Sequence, residues 1–219
     1  MSKVVSISGA AGTGKSTLLE GLKYRVDKFK VARAILKKMK MDLYDILKDP
    51  RKTMEFQDLI LEWKMANDTS LHEDNEVEWT FVERCPADFY AFAKTWQPRF
   101  NNQVYDEWLE VYKQECFDAM SKYDVAIIIP PGHFEHVDDG VRAKADTQDS
   151  THQELDSFLS KRWGWANFQR PCFHFHRLQS CDIIDRVNEV ESILNEANEY
   201  FSQLNMLSDL RQAAGLTAD

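Results

Sequence analysis

Near its start the chain reads Gly-Ala-Ala-Gly-Thr-Gly-Lys-Ser over residues 9–16, a complete match to the spacing GxxxxGK[ST]. The apolar run Val4–Ile7 precedes it and has the composition of a buried strand. Gly9, Gly12 and Gly14 permit backbone conformations that other residues avoid, so successive amide N–H groups can turn toward one anion. A strand, a glycine-rich turn and a helix in this order predict a cradle for the phosphates of a nucleoside triphosphate.

The last two residues of the loop carry the charge and the hydroxyl that this chemistry needs. We expect the ammonium of Lys15 to reach the β- and γ-phosphates and the hydroxyl of Ser16 to bind Mg²⁺. The N-terminus of the helix that follows adds partial positive charge facing the anion. The residues predicted to contact the nucleotide are Gly9, Ala11, Gly12, Thr13, Gly14, Lys15, Ser16 and Thr17.

Length and composition are those of one globular domain. The 219 residues suffice for a single α/β domain over 1–219 and are too few for two ordinary enzymatic domains. Apolar residues make up 43% of the chain, and no apolar run approaches the roughly 20 residues of a membrane span. The first residues have no signal-peptide pattern, so we expect a cytoplasmic protein without a membrane partner.

The net charge of −9 argues against a large nonspecific surface for nucleic acid, because such a surface needs clustered Lys and Arg. Basic residues do cluster in two segments, 23–40 and 161–170. Each cluster is either solvated charge on a helix surface or a local groove for a polyanion. The charge pattern leaves both alternatives open.

Hydrophobic periodicity predicts that strands alternate with helices. The strand candidates after the loop are 79–82, 124–129 and 173–178. The predicted helices span 17–24, the second half of 26–41, 53–71, 87–96, 104–120 and 182 to about 206. This order predicts an α/β three-layer sandwich, in which helices cover both faces of a mostly parallel sheet of about five strands. Ligands of such folds bind at the carboxyl ends of the strands.

A polar, Asp-rich segment without periodicity covers residues 132–150 and favours a mobile loop. Thr151 and Glu154 have the spacing of a capping box, which predicts that a helix begins there and ends near residue 163. We therefore expect a lid over approximately 132–163 that closes on the bound nucleotide.

A second chemical pair stands at the end of the predicted strand 79–82, where Arg84 follows Glu83. Phosphoryl transfer to a hydroxyl needs an acceptor that orients the attacking group and cations that offset the developing charge. Glu83 has the chemistry for the first task, and the planar guanidinium of Arg84 suits the second. An ordinary salt-bridged strand end is the alternative, because the pattern is only two letters long.

Three motifs in this order resemble those of small kinases: the glycine-rich loop, residues 83–88 (Glu-Arg-Cys-Pro-Ala-Asp) and residues 138–142 (Asp-Asp-Gly-Val-Arg). Over residues 3–178 the chain is similar to the P-loop nucleoside and nucleotide kinases, in particular to NadR-like and phage-encoded members. The resemblance implies ATP and Mg²⁺ as cofactors, with Glu83 as base or metal partner. It also implies that Arg84 binds a substrate or a phosphate and that Arg142 closes from the lid, with Lys144 as a helper.

The resemblance also suggests where the phosphate acceptor binds. Arg33, Asp88 and Phe89 are the predicted substrate contacts, although Asp88 would equally suit a helix start, where the macrodipole favours an acidic residue. Aromatic residues flank the Glu-Arg pair, and one or two of them would stack on a base. In one respect the chain departs from the family pattern, because many NadR-like relatives carry Glu-x-x-Arg where this chain has Lys30-Val31-Ala32-Arg33. This difference argues against nicotinamide riboside as the acceptor.

These observations predict an ATP-dependent kinase that moves the γ-phosphate to a hydroxyl of a nucleoside- or nucleotide-type substrate. A hydroxymethylated base in phage DNA would be a specialised acceptor of the same kind. The alternative is a partner-coupled P-loop ATPase in DNA processing or regulation, which shares only the loop. The sequence lacks NKxD, LSGGQ and an apolar run ending in Asp-Glu, which counts against switch and motor classes. The sequence is compatible with a monomer and with a homodimer.

Overall fold

Parallel pairing connects all the described strands of the computed structural model, which describes residues 2–27, 29–73, 76–131, 147–163 and 174–213. β1 lies in the centre and pairs with β3 and β4, so that Ile7 stands beside Glu83 on one side and Ile127 on the other. The sheet order is β2-β3-β1-β4-β5. The strands are β1 (Lys3–Ser8), β2 (Arg25–Asp27), β3 (Trp79–Glu83), β4 (Val125–Ile128) and β5 (His174–Arg177).

Helices connect the strands, and several begin where the sequence supplies a capping residue. Asp49 and Asn102 accept backbone N–H groups at the starts of α4 and α6, and Pro50 and Pro86 occupy the first helical position of α4 and α5. The helices are α1 (Lys15–Gly21), α2 (Val31–Met39), α3 (Leu43–Ile46), α4 (Pro50–Leu71), α5 (Pro86–Phe100), α6 (Gln103–Ala119), α7 (Gln148–Trp163) and α8 (Ile183–Ala213).

Alternate residues of the central strands enter two separate apolar cores, because successive side chains of a strand point to opposite faces. Val4 and Val82 pack against the layer formed by α2 to α7, whereas Val5 and Ile7 pack against α1 and α8. This arrangement confirms the predicted α/β sandwich with a parallel sheet between helices. It also brings the carboxyl ends of β1, β3 and β4 to one edge.

Several helix boundaries differ from the sequence prediction, and those of α1, α7 and α8 bear on the site or on the end of the chain. α1 spans Lys15–Gly21 rather than 17–24, because Leu22 adopts an extended backbone. α7 begins at Gln148, and Thr151 lies inside it, where its hydroxyl donates to the carbonyl of Thr147 at 2.7 Å instead of capping the helix. α8 continues to residue 213 rather than about 206, although its last apolar side chains are exposed.

The predicted lid is described only in part. Its C-terminal portion, residues 147–163, is mainly α7. Residues 132–146, with Arg142 and Lys144, lie outside the described residues. No helix in the described part of the chain combines the length and the apolar composition that a bilayer span requires.

Candidate active site

The glycine-rich loop connects β1 to α1 and has the backbone that its sequence predicts. Gly9, Gly12 and Gly14 have φ angles of 140°, 80° and 87°, a region that side chains with a Cβ disfavour. A Cβ atom at Gly9 would lie 2.7 Å from the carbonyl oxygen of Ile129, so close packing against the end of β4 also requires glycine there. The loop therefore turns tightly at the carboxyl edge of the sheet.

Lys15 folds back over the loop and is almost fully buried. Its ammonium donates to the carbonyl oxygens of Gly9 at 2.8 Å and Ala10 at 2.5 Å. These contacts keep the positive charge inside the turn, where a bound triphosphate would place its outer phosphates.

Glu83 ends β3 beside the loop, as the strand register requires. Its Oε2 atom accepts the Ser16 hydroxyl at 3.4 Å and also contacts the ammonium of Lys30. Burial raises the pKa of the Glu83 carboxyl, but the hydrogen bond from Lys30 and the charges of Arg84 and Lys15 outweigh burial and hold that pKa below its ordinary value. The carboxylate is therefore ionised at neutral pH and available to a cation or to a hydroxyl.

Arg84 has a left-handed backbone, with a φ of 69°, immediately after β3. Its amide donates to the carbonyl of Ile7 at 3.0 Å, which fixes the turn against β1. Its guanidinium lies 3.6 Å from the carboxylate of Asp88 and 3.5 Å from the carbonyl of Gly9. A non-glycine residue in this conformation is strained, and such strain is common where a side chain must be aimed at a ligand.

Asp88 connects the start of α5 to the glycine-rich loop of residues 9–16, which we call the phosphate loop. One carboxylate oxygen accepts the backbone N–H of Gly9 at 3.0 Å, and the other accepts the backbone N–H of Cys85 at 3.0 Å. The side chain is 1% exposed, and its contact with Cys85 is half of a capping box. The helix-start alternative for Asp88 is therefore present in the structure.

A cavity of about 820 Å³, its open mouth included, lies next to the loop on the β3 side of the sheet. Its wall is mostly aliphatic and aromatic, with a few polar groups from α4, α5 and α7, a composition typical of small-molecule sites. The lining residues are Ala10, Ala11, Ala32, Leu36, Leu43, Phe56, Gln57, Ile60, Arg84, Asp88, Phe89, Phe92, Thr147, Gln148 and Thr151.

Of the predicted substrate contacts, Phe89 and Asp88 line this cavity together with Arg84. Arg33 is exposed on α2, and this helix contributes Ala32 and Leu36 to the wall instead. The other aromatic residues near the Glu-Arg pair divide between the wall and the buried core.

Gln57 is a polar wall residue that the sequence analysis missed. It lies within the buried face of α4 and is 1% exposed. The Tyr112 hydroxyl donates to the backbone carbonyl of Gln57 at 3.0 Å and lies 3.4 Å from its side-chain carbonyl oxygen. Burial raises the pKa of Tyr112 well above its ordinary value, so this phenol stays a donor. A lone polar residue in an apolar helical stripe gives no sequence signal of its own.

Arg186, on α8, is a second residue that sequence analysis missed. Its guanidinium is fully buried and donates to the carbonyl of Thr13 in the phosphate loop at 3.2 Å. Helical periodicity identified the apolar residues around it but not the arginine.

The residues at the loop fit a nucleoside triphosphate with Mg²⁺. Mg²⁺ prefers oxygen ligands and is usually held by one or two protein groups together with phosphates. The hydroxyl of Ser16, in the first turn of α1, and the carboxylate of Glu83, at the end of β3, are such groups. Within the described residues, no group of three or more His, Cys, Asp and Glu side chains forms a self-sufficient metal site.

Comparison with known proteins places this geometry in a family. The model of the AAA_28 family, described as an AAA domain, matches residues 4–174. The chain belongs to the AAA_28 family. No curated protein sequence matches that of this AAA_28 protein.

Two solved structures illustrate the fold that this AAA_28 protein shares. NadR in complex with NAD and AMP-PNP is similar with a TM-score of 0.62 and 15% identity, over 90% of this chain and 50% of NadR. Deoxyadenosine kinase from M. mycoides with bound dATP is similar with a TM-score of 0.58 and 16% identity, over 88% of this chain and 99% of that one. The AAA_28 chain thus spans half the length of NadR. The likeness confirms the fold of the P-loop nucleoside and nucleotide kinases.

Proposed function

We propose that this protein is an ATP-dependent kinase that transfers the γ-phosphate to a hydroxyl of a nucleoside-type acceptor. The observation that carries the proposal is the cavity beside the phosphate loop, which Arg84 lines while the neighbouring Glu83 contacts Ser16 of the loop. A partner-coupled ATPase needs the loop but has no use for an adjacent pocket with a mostly apolar wall. The pocket therefore favours transfer to a small molecule.

Each polar group at the phosphate loop and at the end of β3 has a role in this reaction. Lys15 holds the outer phosphates of ATP, and Mg²⁺, held by Ser16 with Glu83, would offset the charge of the transferring group. Glu83 is ionised and orients the attacking hydroxyl or the metal. Arg84 faces the cavity and binds the acceptor or the phosphoryl oxygens with its fork of donors.

The cavity wall suits a base better than a sugar or an ion. Phe56, Phe89 and Phe92 present aromatic surface, and Gln57 supplies a carboxamide held from behind by Tyr112. NadR has been solved with NR and the deoxyadenosine kinase with dCMP and dCTP. These ligands of proteins with the same fold support a nucleoside or nucleotide in this cavity. The Lys30-to-Glu83 contact, absent from the Glu-x-x-Arg pattern, argues for an acceptor other than nicotinamide riboside.

A hydroxymethylated base carried on DNA is a second candidate acceptor, and one surface favours it. α2 and Leu43 border the cavity, and their segment, residues 30–52, has eight basic and three acidic residues although the whole chain carries −9. A strand bound there would place a flipped base at the cavity mouth. The exposed basic residues of this segment are Lys30, Arg33, Lys37, Lys38, Lys40, Lys48, Arg51 and Lys52.

The proposal is tested by transfer of labelled γ-phosphate from ATP to nucleosides, mononucleotides, nicotinamide riboside and hydroxymethyluracil-containing DNA. We expect a labelled free nucleoside or nucleotide, and loss of labelling in Lys15→Met and Glu83→Gln. Lys113→Met is the matched control, because Lys113 lies on the surface of α6 and pairs with Glu110. Gln57→Leu should raise the KM of the acceptor and leave that of ATP unchanged.

Two results would change the assignment. Labelled DNA, with a rate that falls steeply as salt rises, would identify the strand-borne acceptor. Release of free phosphate with no labelled acceptor, unaffected by Gln57→Leu, would contradict the kinase and favour the partner-coupled ATPase.

A further inference from the structure

Arg186 connects two loops at the carboxyl edge of the sheet. It lies in the first turn of α8, with none of its surface exposed. Its Nη1 atom donates to the carbonyl of Thr13 at 3.2 Å, and its Nε atom donates to the carbonyl of Ser180 at 2.9 Å. One side chain therefore links the phosphate loop to the segment that follows β5.

The contact with Thr13 controls the direction of a phosphate-binding amide. In a trans peptide the carbonyl of one residue and the N–H of the next point in opposite directions. Arg186 holds the Thr13 carbonyl toward α8, so the N–H of Gly14 is aimed the other way, into the loop. Gly14 is the N-cap of α1 and has a φ of 87°. Glycine adopts this conformation without steric cost, but it also leaves the adjoining peptide free to rotate. The guanidinium supplies the restraint that the glycine lacks.

The other end of the connection is itself held in place. The carboxylate of Glu189, one turn along α8, accepts the backbone N–H groups of Gln179 at 2.8 Å and Ser180 at 3.0 Å. The segment that Arg186 grips is therefore anchored to the same helix. Through Arg186, the phosphate loop is thus connected to a segment, residues 179–180, that is itself hydrogen-bonded to α8.

We propose that Arg186 is a positioning residue for the nucleotide, which aims the amide of Gly14 at a phosphate by holding the carbonyl of Thr13. The inference rests on the nucleotide site of the proposed function and is independent of the acceptor. Burial lowers the pKa of Arg186, in keeping with a guanidinium selected for its donors despite the cost of burying its charge. Preorganised donors bind an anion more tightly because the site does not have to be ordered on binding.

The test measures binding of ADP by calorimetry, and of ATP through KM and kcat, for Arg186→Lys and Arg186→Met. We expect the methionine variant to bind ADP about 10-fold more weakly, the effect of losing one hydrogen bond from a charged donor. The KM of ATP should rise by a similar factor, with kcat changed less than about threefold. Lysine keeps the charge but has a single donor nitrogen, so it should restore part of the affinity.

Arg177→Met is the matched control, because Arg177 is an exposed arginine on β5 that pairs with Asp156 on α7. It should lower stability slightly and leave ADP affinity unchanged. An Arg186→Met protein that melts earlier but binds ADP as tightly as the wild type would overturn the proposal. If the methionine variant does not fold, Arg186→Gln takes its place, because its shorter neutral side chain cannot reproduce both contacts of the guanidinium; wild-type affinity for ADP in that variant would overturn the proposal in the same way. Calorimetry with ADP needs no acceptor, so a failure here is distinct from a failure of the kinase assignment.

Discussion

Arg84 carries a conformational cost that the sequence does not reveal. Its left-handed φ of 69° places a Cβ where only glycine is comfortable, at a cost of about 1–2 kcal/mol. We expect the free energy of unfolding, measured with urea, to be about 1 kcal/mol higher for Arg84→Gly than for Arg84→Ala, because only glycine relieves the strain. Both variants lose the guanidinium and should lose transfer. An alanine variant as stable as the glycine variant would mean that the turn relaxes without cost.

Asp88 is the residue whose loss should most weaken the junction of loop and helix. Its two oxygens accept the N–H groups of Gly9 and Cys85 in a buried setting. Asn offers one acceptor oxygen and one N–H₂, so Asp88→Asn leaves a buried donor facing another and should cost about 1–3 kcal/mol in urea unfolding. Asp49→Asn is the control, since Asp49 caps α4 with a partly exposed carboxylate and Asn caps equally well. Equal losses in the two variants would contradict this account of Asp88.

The positions of residues that local spacing specifies could be predicted from the sequence, while their roles stay predictions. The glycines of the loop, Lys15 and Glu83 lie together at the carboxyl edge because a fixed motif or a strand end places them there. Gln57 and Arg186 could not be predicted, since each is a single polar residue in an amphipathic helix and acquires its role only from the element opposite. The contact of Lys30 with Glu83 joins residues 53 positions apart, a distance that no local pattern encodes.

At the scale of elements, the start of α8 should make stability depend on pH. Burial raises the pKa of Glu189, but hydrogen bonds from the amides of Gln179 and Ser180 outweigh it and hold the pKa below its ordinary value. A depressed folded-state pKa contributes stability above the unfolded value, about 4.3, that is lost as the pH falls below it. We expect Glu189→Gln to flatten this part of the curve of unfolding free energy against pH. A curve identical to the wild type between pH 6 and about 3 would exclude the effect.

Within α4, a buried ion pair makes the helix sensitive to single changes. The ammonium of Lys64 lies 3.0 Å from the carboxylate of Asp68, both are at most 1% exposed, and the Tyr123 hydroxyl donates to the same carboxylate at 2.6 Å. Lys64→Met leaves the charge of Asp68 uncompensated and should cost about 3–5 kcal/mol in urea unfolding. The double variant Lys64→Met with Asp68→Asn should recover part of that loss. A double variant less stable than Lys64→Met would contradict the charge explanation.

Long amphipathic helices were predicted to within a few residues, since apolar residues recur at helical spacing along α4, α5 and α6 although polar side chains are buried among them. The three-residue edge strand β2 was missed, because it is too short to establish a period of two. The start of α7 was misplaced, because Thr151 has the spacing of a cap but uses its hydroxyl inside the helix. Such errors arise because a Thr hydroxyl can hydrogen-bond either as a helix cap or to the carbonyl four residues earlier inside a helix.

At the scale of the whole molecule, nucleotide binding should appear as added stability. The phosphate loop is covalently continuous with β1 and α1 and packs on β4, so ligand binding to it stabilises the folded state of the entire domain. ADP at about 100 times its Kd should add about 2.7 kcal/mol and raise Tm by roughly 5–10 °C. Lys15→Met should abolish the shift and Lys113→Met should retain it. A full shift in Lys15→Met would mean that ADP binds elsewhere.

Gln148, on α7, contacts both the cavity and the phosphate loop. It lines the cavity beside the phosphate loop and also donates to the carbonyl of Ala11 in that loop at 2.6 Å. A ligand that enters the cavity and displaces α7 would therefore alter the hydrogen bond from Gln148 to Ala11 in the phosphate loop. Because linkage is reciprocal, each ligand must then alter the affinity of the other by the same factor. A ligand in the cavity and a nucleotide at the phosphate loop are thus expected to bind cooperatively, because both contact α7 or a residue that α7 holds.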